Sequence, residues 1–261
     1  MKQIRDIYKY IQATAMLIGQ SRFRNLIALK GGAALNAILT ENGREDLGRL
    51  TSDIDIHCNS KRVWIDFYTN IEQILNQNDL GYVYKITDRR SLRKELTSGD
   101  SLKFELLDTK TNETIAFKID MNIKSNKIVS FAFSTLLNMN VYDKYTMMTD
   151  KISAISSRKI FRRIKDLYDI CVLASLCEYN YTDLRKHIEV KFGDISELEN
   201  MLTVNNIDAI KHAYDGYVGI YNRPNIDTLL SIVNTFCEPI YSNWKGKAVW
   251  NPVIMKWNII Q

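Results

Sequence analysis

The sequence is poor in the residue types that mark linkers, disulfide scaffolds and zinc sites. It has only 3 prolines among 261 residues and no low-complexity run, which argues against long linkers. The 4 cysteines and 3 histidines show neither a C-x-x-C spacing nor a ligand-spaced cluster. We therefore expect reduced cysteines in apolar surroundings and no zinc site.

The chain also lacks a long apolar run. Lys2, Arg5, Asp6 and Lys9 interrupt the N-terminal segment, which does not resemble a signal peptide and instead predicts an amphipathic helix. No later stretch has the length and apolarity of a membrane span. The net charge of +5 predicts a mild preference for anionic partners. These features predict a cytoplasmic protein of one or two domains without a membrane partner.

Two aspartates separated by one residue, Asp53 and Asp55, form the most informative pattern. The run DIDI at 53–56 alternates polar and apolar residues, which predicts a half-buried strand. Alternate side chains on a strand lie on one face, about 6.5–7 Å apart along the chain. Two such carboxylates can bind hard cations such as Mg²⁺. A surface strand with two solvated aspartates is the simpler alternative.

A glycine pair, Gly31-Gly32, precedes these aspartates and lies between an apolar run at 26–29 and a helix-forming run at 33–39. Free N–H groups at such a helix start favour phosphate binding, and the missing Cβ atoms let the backbone approach a ligand closely. An ordinary tight turn between a strand and a helix is the alternative explanation for the glycine pair. The pair alone is a weak signal, and its combination with the aspartates is more specific.

Asp120 is a candidate third carboxylate, because it interrupts a hydrophobic run in a strand predicted at 114–123. In polymerase-like sites a third carboxylate from a neighbouring strand can take up the proton of an attacking hydroxyl. An exposed aspartate on an edge strand is the alternative. Further strands are predicted at 81–87 and 101–107, and helices at 61–76, 144–157 and 162–176.

Four segments resemble the nucleotidyltransferase superfamily, and most closely its AbiEii/AbiGii-type toxins of phage-defence and toxin–antitoxin systems. They are LKGGAAL at 29–35, RLTSDID at 49–55, DKISA at 150–154 and RIKDLYD at 163–169. The resemblance covers roughly residues 26–173. It implies that Asp53, Asp55 and Asp120 hold Mg²⁺, or Mn²⁺, and that an NTP is the substrate.

The resemblance also implies roles for residues around these motifs. Arg49, Thr51 and Ser52 would orient the nucleotide site, although an exposed loop arginine is an equal alternative. Lys151 would reach the triphosphate from a helix whose stripe includes Arg158. Lys165 and Asp166 would lie at the active-site cleft, and ion pairs Arg162–Asp166 and Lys165–Asp169 are the structural alternative, worth only about 0.3–0.5 kcal/mol each.

The expected architecture is α/β (α+β), with a mixed-sheet nucleotidyltransferase domain at 1–142 and a helical domain at 143–261. The helical domain would complete a cleft with the phosphates between Gly31-Gly32 and Lys151. Trp244, Trp250 and Trp257 alternate with lysines near the C-terminus. They are expected to close over a small helical core, and base stacking is the alternative.

The predicted function is Mg²⁺-dependent transfer of an NMP from an NTP to an acceptor hydroxyl, with release of pyrophosphate. Similarity to the toxin family implies an RNA acceptor, the tRNA 3′ end, and a cognate antitoxin protein. Two alternatives stay open: a small-molecule or protein nucleotidylyltransferase of the antibiotic-modifying type, and a non-catalytic relative that binds nucleotide or a partner.

Overall fold

The computed structural model describes residues 2–91, 100–123, 129–156, 160–195, 198, 202 and 204–260. The chain divides into two compact units, residues 1–126 with 131–142 and residues 127–130 with 143–261. The first unit combines helices with a mixed sheet, so the predicted α/β fold class is confirmed.

The first unit contains three helices and seven strands in its described part. In chain order these are α1 Lys2–Gln20, β1 Ile27–Lys30, α2 Gly31–Glu41, β2 Asp53–Cys58, α3 Lys61–Asn76, β3 Tyr82–Ser91, β4 Asp100–Asp108, β5 Glu113–Asn122, β6 Phe131–Ser134 and β7 Met139–Tyr142. The strands form one sheet in the order β3-β4-β5-β2-β1-β7-β6. Strand β2 is therefore central, parallel to β5 on one side and antiparallel to β1 on the other.

The apolar positions of β2 and β5 anchor this part of the sheet. Ile54, Ile56 and Ile119 are fully buried, and Met121 is 1% exposed. Burial of such a side chain contributes about 1.5–3 kcal/mol. Because side chains alternate along a strand, this anchoring turns the neighbouring polar residues of both strands to the opposite face.

The second unit contains helices α4 to α8 and a small sheet. Its elements are α4 Lys144–Ile155, α5 Ile164–Leu176, β8 Tyr179–Asn180, α6 Tyr181–Phe192, α7 Val204–Asp215, α8 Ile226–Tyr241, β9 Lys247–Asn251 and β10 Lys256–Ile260. The three strands pair in the order β10-β9-β8. The expectation of a purely helical second domain is therefore incomplete, since its C-terminal segment is a β-hairpin.

The tryptophans in and just before this hairpin pack against aromatic side chains of the second unit. Trp250 is fully buried, and its indole N–H donates to the carbonyl oxygen of Ala174 at 2.7 Å. Trp250 and Trp257 both contact the ring of Phe236 in α8. Trp244 instead contacts the ring of Tyr181. These contacts agree with the expected role in packing and leave the buried face of Trp250 closed to base stacking.

Capping residues fix where several helices begin. The Ser60 hydroxyl accepts a hydrogen bond from the Val63 amide at the start of α3, and the Asp143 carboxylate accepts one from the Thr146 amide at the start of α4. Each cap satisfies an amide that the first helical turn leaves without a partner. The helices predicted at 61–76 and 144–157 are thus confirmed, with the second ending two residues earlier.

Candidate active site

The carboxylates of Asp53, Asp55 and Asp120 lie on one face of the sheet. Asp55 of β2 is the register partner of Asp120 of β5, and Asp53 is the partner of Lys118. Neighbouring residues in register, and residues two apart on one strand, project to the same side. The parallel pairing therefore brings together three acidic side chains from segments more than sixty residues apart in the sequence.

The Lys118 ammonium lies among these acids. Its Nζ donates a hydrogen bond to Oδ2 of Asp120 at 2.6 Å and is 3.7 Å from Oδ2 of Asp53. The pKa of this ammonium is raised. Burial acts to lower it, but the hydrogen bond to Asp120 and the negative charges of Asp53 and Asp55 outweigh that effect. Lys118 is therefore a cation shared between two strands.

Gly31 and Gly32 bring the backbone against two charged side chains. Gly31 has φ +69°. A Cβ added to it would overlap Oδ2 of Asp55 and lie 3.1 Å from the Cγ of that residue. A Cβ on Gly32 would lie 2.9 Å from the guanidinium nitrogens of Arg49. The glycine pair thus makes room for Asp55 and Arg49, and its predicted role in holding phosphate stays a prediction.

Arg49 is held in place by α2 rather than exposed in a loop. It is 4% exposed, and its backbone carbonyl accepts a hydrogen bond from Nδ2 of Asn36 at 2.8 Å. The Asn36 side chain also accepts from the Arg49 amide. This burial argues against the solvent-exposed alternative for Arg49.

Thr51 and Ser52 surround the first aspartate. The Thr51 hydroxyl donates to the backbone carbonyl of Asp53 at 3.1 Å, and the Ser52 hydroxyl donates to Oδ1 of Asp53 at 3.2 Å. Thr51 therefore fixes the backbone where β2 begins, and Ser52 orients the carboxylate. Both contacts suit residues that shape a site, and their role in nucleotide binding stays a prediction.

The second unit contains a separate buried ion cluster. Lys151 of α4, 8% exposed, places its Nζ 3.0 Å from Oδ1 of Asp166 and 2.6 Å from Oδ2 of Asp169 in α5. Asp169 has no exposed surface. The alternative pairs with Arg162 and Lys165 are thus replaced by pairing to Lys151, which cross-links two helices.

The remaining predicted residues of this unit differ in their setting. Lys165 is exposed on α5. Arg163 is 4.0 Å from Asp166. Arg158, the predicted third member of the α4 stripe, lies outside the described residues. The expected contact of Lys151 with a triphosphate stays a prediction, and its two carboxylate partners would have to be exchanged for it.

The three carboxylates of the sheet match Mg²⁺ or Mn²⁺ in donor type, because both ions take oxygen ligands. The Lys118 ammonium contacts two of them, Asp53 and Asp120, and supplies a positive charge where a metal ion would lie. Among the residues that the structure describes, no three His, Cys, Asp or Glu side chains converge closely enough to enclose a metal ion as they stand. Asp53, Asp55 and Asp120 thus match a divalent ion in donor type and share one face, and the Lys118 ammonium lies against two of them.

Two lysines beside the acidic residues, Lys118 and Lys30, were not predicted as site residues from the sequence. Lys118 precedes Asp120 by two residues, so the strand period alone places it on the acidic face. Lys30 is the register partner of Asp55 on β1. Its position beside Asp55 depends on the pairing of β1 with β2, which no local sequence pattern predicts.

Solved structures with the same fold include two from Helicobacter pylori. The protein JHP933 matches with a TM-score of 0.57 and 14% identity over 93% of this chain and 94% of its own. A candidate nucleotidyltransferase matches with the same score and identity, over 93% of this chain and 96% of its own. This chain therefore shares the fold of both structures.

The family model "Nucleotidyl transferase AbiEii toxin, Type IV TA system" matches residues 15–229. The chain therefore belongs to the AbiEii nucleotidyltransferase toxin family, which confirms the resemblance carried by its motifs. Membership of this family makes the chain a nucleotidyltransferase and implies an antitoxin partner.

A search of curated proteins gives no match. No helix in the described ranges has both the length and the apolarity that crossing a membrane requires.

Proposed function

We propose that the chain transfers an NMP from a Mg²⁺-bound NTP to an acceptor hydroxyl and releases pyrophosphate. The observation that carries this proposal is the placement of Asp53, Asp55 and Asp120 on one sheet face, with Gly31 against Asp55. Oxygen ligands on one rigid face suit metal-assisted displacement at a phosphorus atom. Strands hold such ligands more rigidly than loops do.

Each acidic residue has a distinct part in this proposal. Asp53 and Asp55 hold the divalent ion, which when bound neutralises triphosphate charge and polarises the reacting phosphoryl group. Asp120 accepts the proton of the acceptor hydroxyl as its oxygen bonds to the α-phosphorus. The bond from that phosphorus to the bridging oxygen of the β-phosphate breaks, and pyrophosphate carries away the electron pair.

The basic residues would handle the triphosphate. Arg49 and the amides at the start of α2 are suited to oxygen anions, since they offer N–H donors and a helix N-terminus. Lys151 and Lys165 of the second unit, with Asp166 as the partner of Lys151, are proposed to bind nucleotide phosphate. For this role the Lys151 ammonium must release its carboxylate partners and bind a phosphate instead.

RNA is the proposed acceptor, with the tRNA 3′ end as the first candidate, on the strength of family membership. A small-molecule or protein acceptor is the competing proposal, because the acidic face itself carries no information about the acceptor. The proposed partners are thus an NTP, an RNA and an antitoxin.

Incubation with each labelled NTP and Mg²⁺ tests the activity and its acceptor together. Total RNA, cell protein and aminoglycosides are offered in separate reactions, and one of the four NTPs is expected to label RNA. Label in protein or aminoglycoside alone would replace the RNA acceptor. Chelation of Mg²⁺ is expected to stop transfer.

Asp53→Asn tests the metal assignment, and Asp46→Asn serves as its control. Asp46 is a surface acid paired with Arg44, with 49% of its side chain exposed. The Asp53 variant is expected to fold and to lose transfer, whereas the Asp46 variant keeps both. Full transfer by folded Asp53→Asn would contradict the assigned role.

A further inference from the structure

Lys118 neutralises a group of acids that the sheet would otherwise hold together unfavourably. Asp55 and Asp120 are register partners on parallel strands, and Asp53 follows on the same face. Like charges directly opposite each other destabilise a sheet. The ammonium contacts two of the three acids, with 40% of the Lys118 side chain exposed and 30% and 33% of those of Asp53 and Asp120.

The neighbouring strand shows that a lysine on this face need not contact these acids. Lys103 of β4 is the register partner of Lys118 and therefore projects to the same side. Its ammonium pairs with Asp88 of β3 at 3.2 Å. Two lysines at equivalent depth in adjacent strands thus have different partners, and only Lys118 joins β2 to β5 through carboxylates.

We propose that Lys118 is a built-in counter-cation: it holds the carboxylates of Asp53 and Asp120 in place before a divalent ion binds, and that ion displaces it. The inference rests on the proposed function, because it requires Asp53 to bind metal. The physical reason is competition, since the ammonium and the metal ion both need the Asp53 carboxylate, and the ammonium must also leave Asp120 before that residue can accept a proton. Lys118 is a positioning residue, whose flexible stem lets the ammonium withdraw without moving the strand.

The stability of the metal-free protein tests the first half of the proposal. In excess chelator, Lys118→Met is expected to lower the Tm by roughly 2–4 °C, because Asp53 and Asp120 lose their shared cation. The same substitution in an Asp53→Asn, Asp120→Asn background is expected to have little effect. Equal losses of Tm in both backgrounds would overturn the proposal, whatever the protein's activity.

The affinity for Mn²⁺ tests the second half, measured by the loss of the free-ion electron paramagnetic resonance signal. Lys118→Met is expected to bind Mn²⁺ roughly fivefold more tightly than the wild type, because the competing ammonium is gone. Lys118→Arg keeps a cation and is expected to bind as the wild type does. Lys103→Met removes the same charge one strand away and is expected to leave the affinity unchanged.

The outcomes separate this inference from the proposed function. Wild-type protein that binds no Mn²⁺ contradicts the metal-dependent function and, with it, displacement of Lys118 by metal. Wild-type binding with equal or weaker binding by Lys118→Met contradicts the counter-cation alone. Tighter binding by Lys103→Met to the same degree would show a general effect of net charge and would also overturn it.

Discussion

Gly31→Ala is the sharpest structural test of the acidic face. Gly31 adopts φ +69°, in the left-handed region where an L-residue with a Cβ costs about 1–2 kcal/mol. The added Cβ would also overlap Oδ2 of Asp55. The substitution therefore imposes two separable penalties, backbone strain and a collision with a proposed metal ligand.

Gly43→Ala isolates the first penalty. Gly43 has φ +66°, and a Cβ there would meet no atom within 4 Å. Both variants also reduce the conformational entropy of the unfolded chain, which offsets about 0.4–1 kcal/mol of the loss in each and does not affect the difference between them. The difference between them is the cost of moving Asp55, about 0.5–1.5 kcal/mol if its side chain leaves a staggered rotamer.

Urea unfolding followed by circular dichroism measures both losses, and both glycines lie in the first unit. Gly31→Ala is expected to lose about 1 kcal/mol more than Gly43→Ala. Most of that excess should vanish in an Asp55→Ala background, since the colliding oxygen is gone and the Cβ of residue 55, at 3.3 Å, is the nearest atom that remains. Transfer activity should fall in Gly31→Ala and persist in Gly43→Ala. Equal losses for the two glycines, or an excess that is undiminished by Asp55→Ala, would refute the reasoning.

Two other predictions concern buried groups. Asp169→Ala removes the nearer carboxylate of the Lys151 ammonium and leaves Asp166 as its partner, so it should destabilise by about 1.5–3 kcal/mol, the contribution of a hydrogen bond to a charged group. Lys165→Met, at an exposed position, should change stability little. Thermal denaturation compares the two variants, and similar losses would contradict the buried cluster. Burial raises the pKa of the Cys58 and Cys237 thiols to about 12, so Ellman's reagent at pH 8 should label them slowly until urea is added; fast native labelling of both would contradict their burial.

Local patterns predicted the elements that carry the acidic face. The alternation at 53–56 became β2, and the run around Asp120 became β5, at 113–122 rather than 114–123. Alternation and apolar spacing act over a few residues, so they can be read without knowing the fold. The helix at 61–76 was predicted for the same reason.

The pairing of distant strands could not be predicted in this way. That β5 lies beside β2, with Asp120 opposite Asp55, depends on packing between segments far apart in the chain. The partner of Lys118 follows from that register, and so does the position of Lys30. The hairpin formed by β9 and β10 was missed because its tryptophans were interpreted as closing over a small helical core.

Two costs meet at Asp55, and their coincidence bears on the choice between a catalytic face and an ordinary surface strand. Asp55 stands opposite another aspartate in register, and Gly31 holds a positive φ against its carboxylate. A strand that only needed solubility would avoid both, because a threonine at either acidic position removes the repulsion and improves β-propensity. Departures from local preference concentrate where function demands them. On a surface strand the lysine between Asp53 and Asp120 would only neutralise the acids, whereas a site that must hold and release a divalent cation also explains why the acids are there.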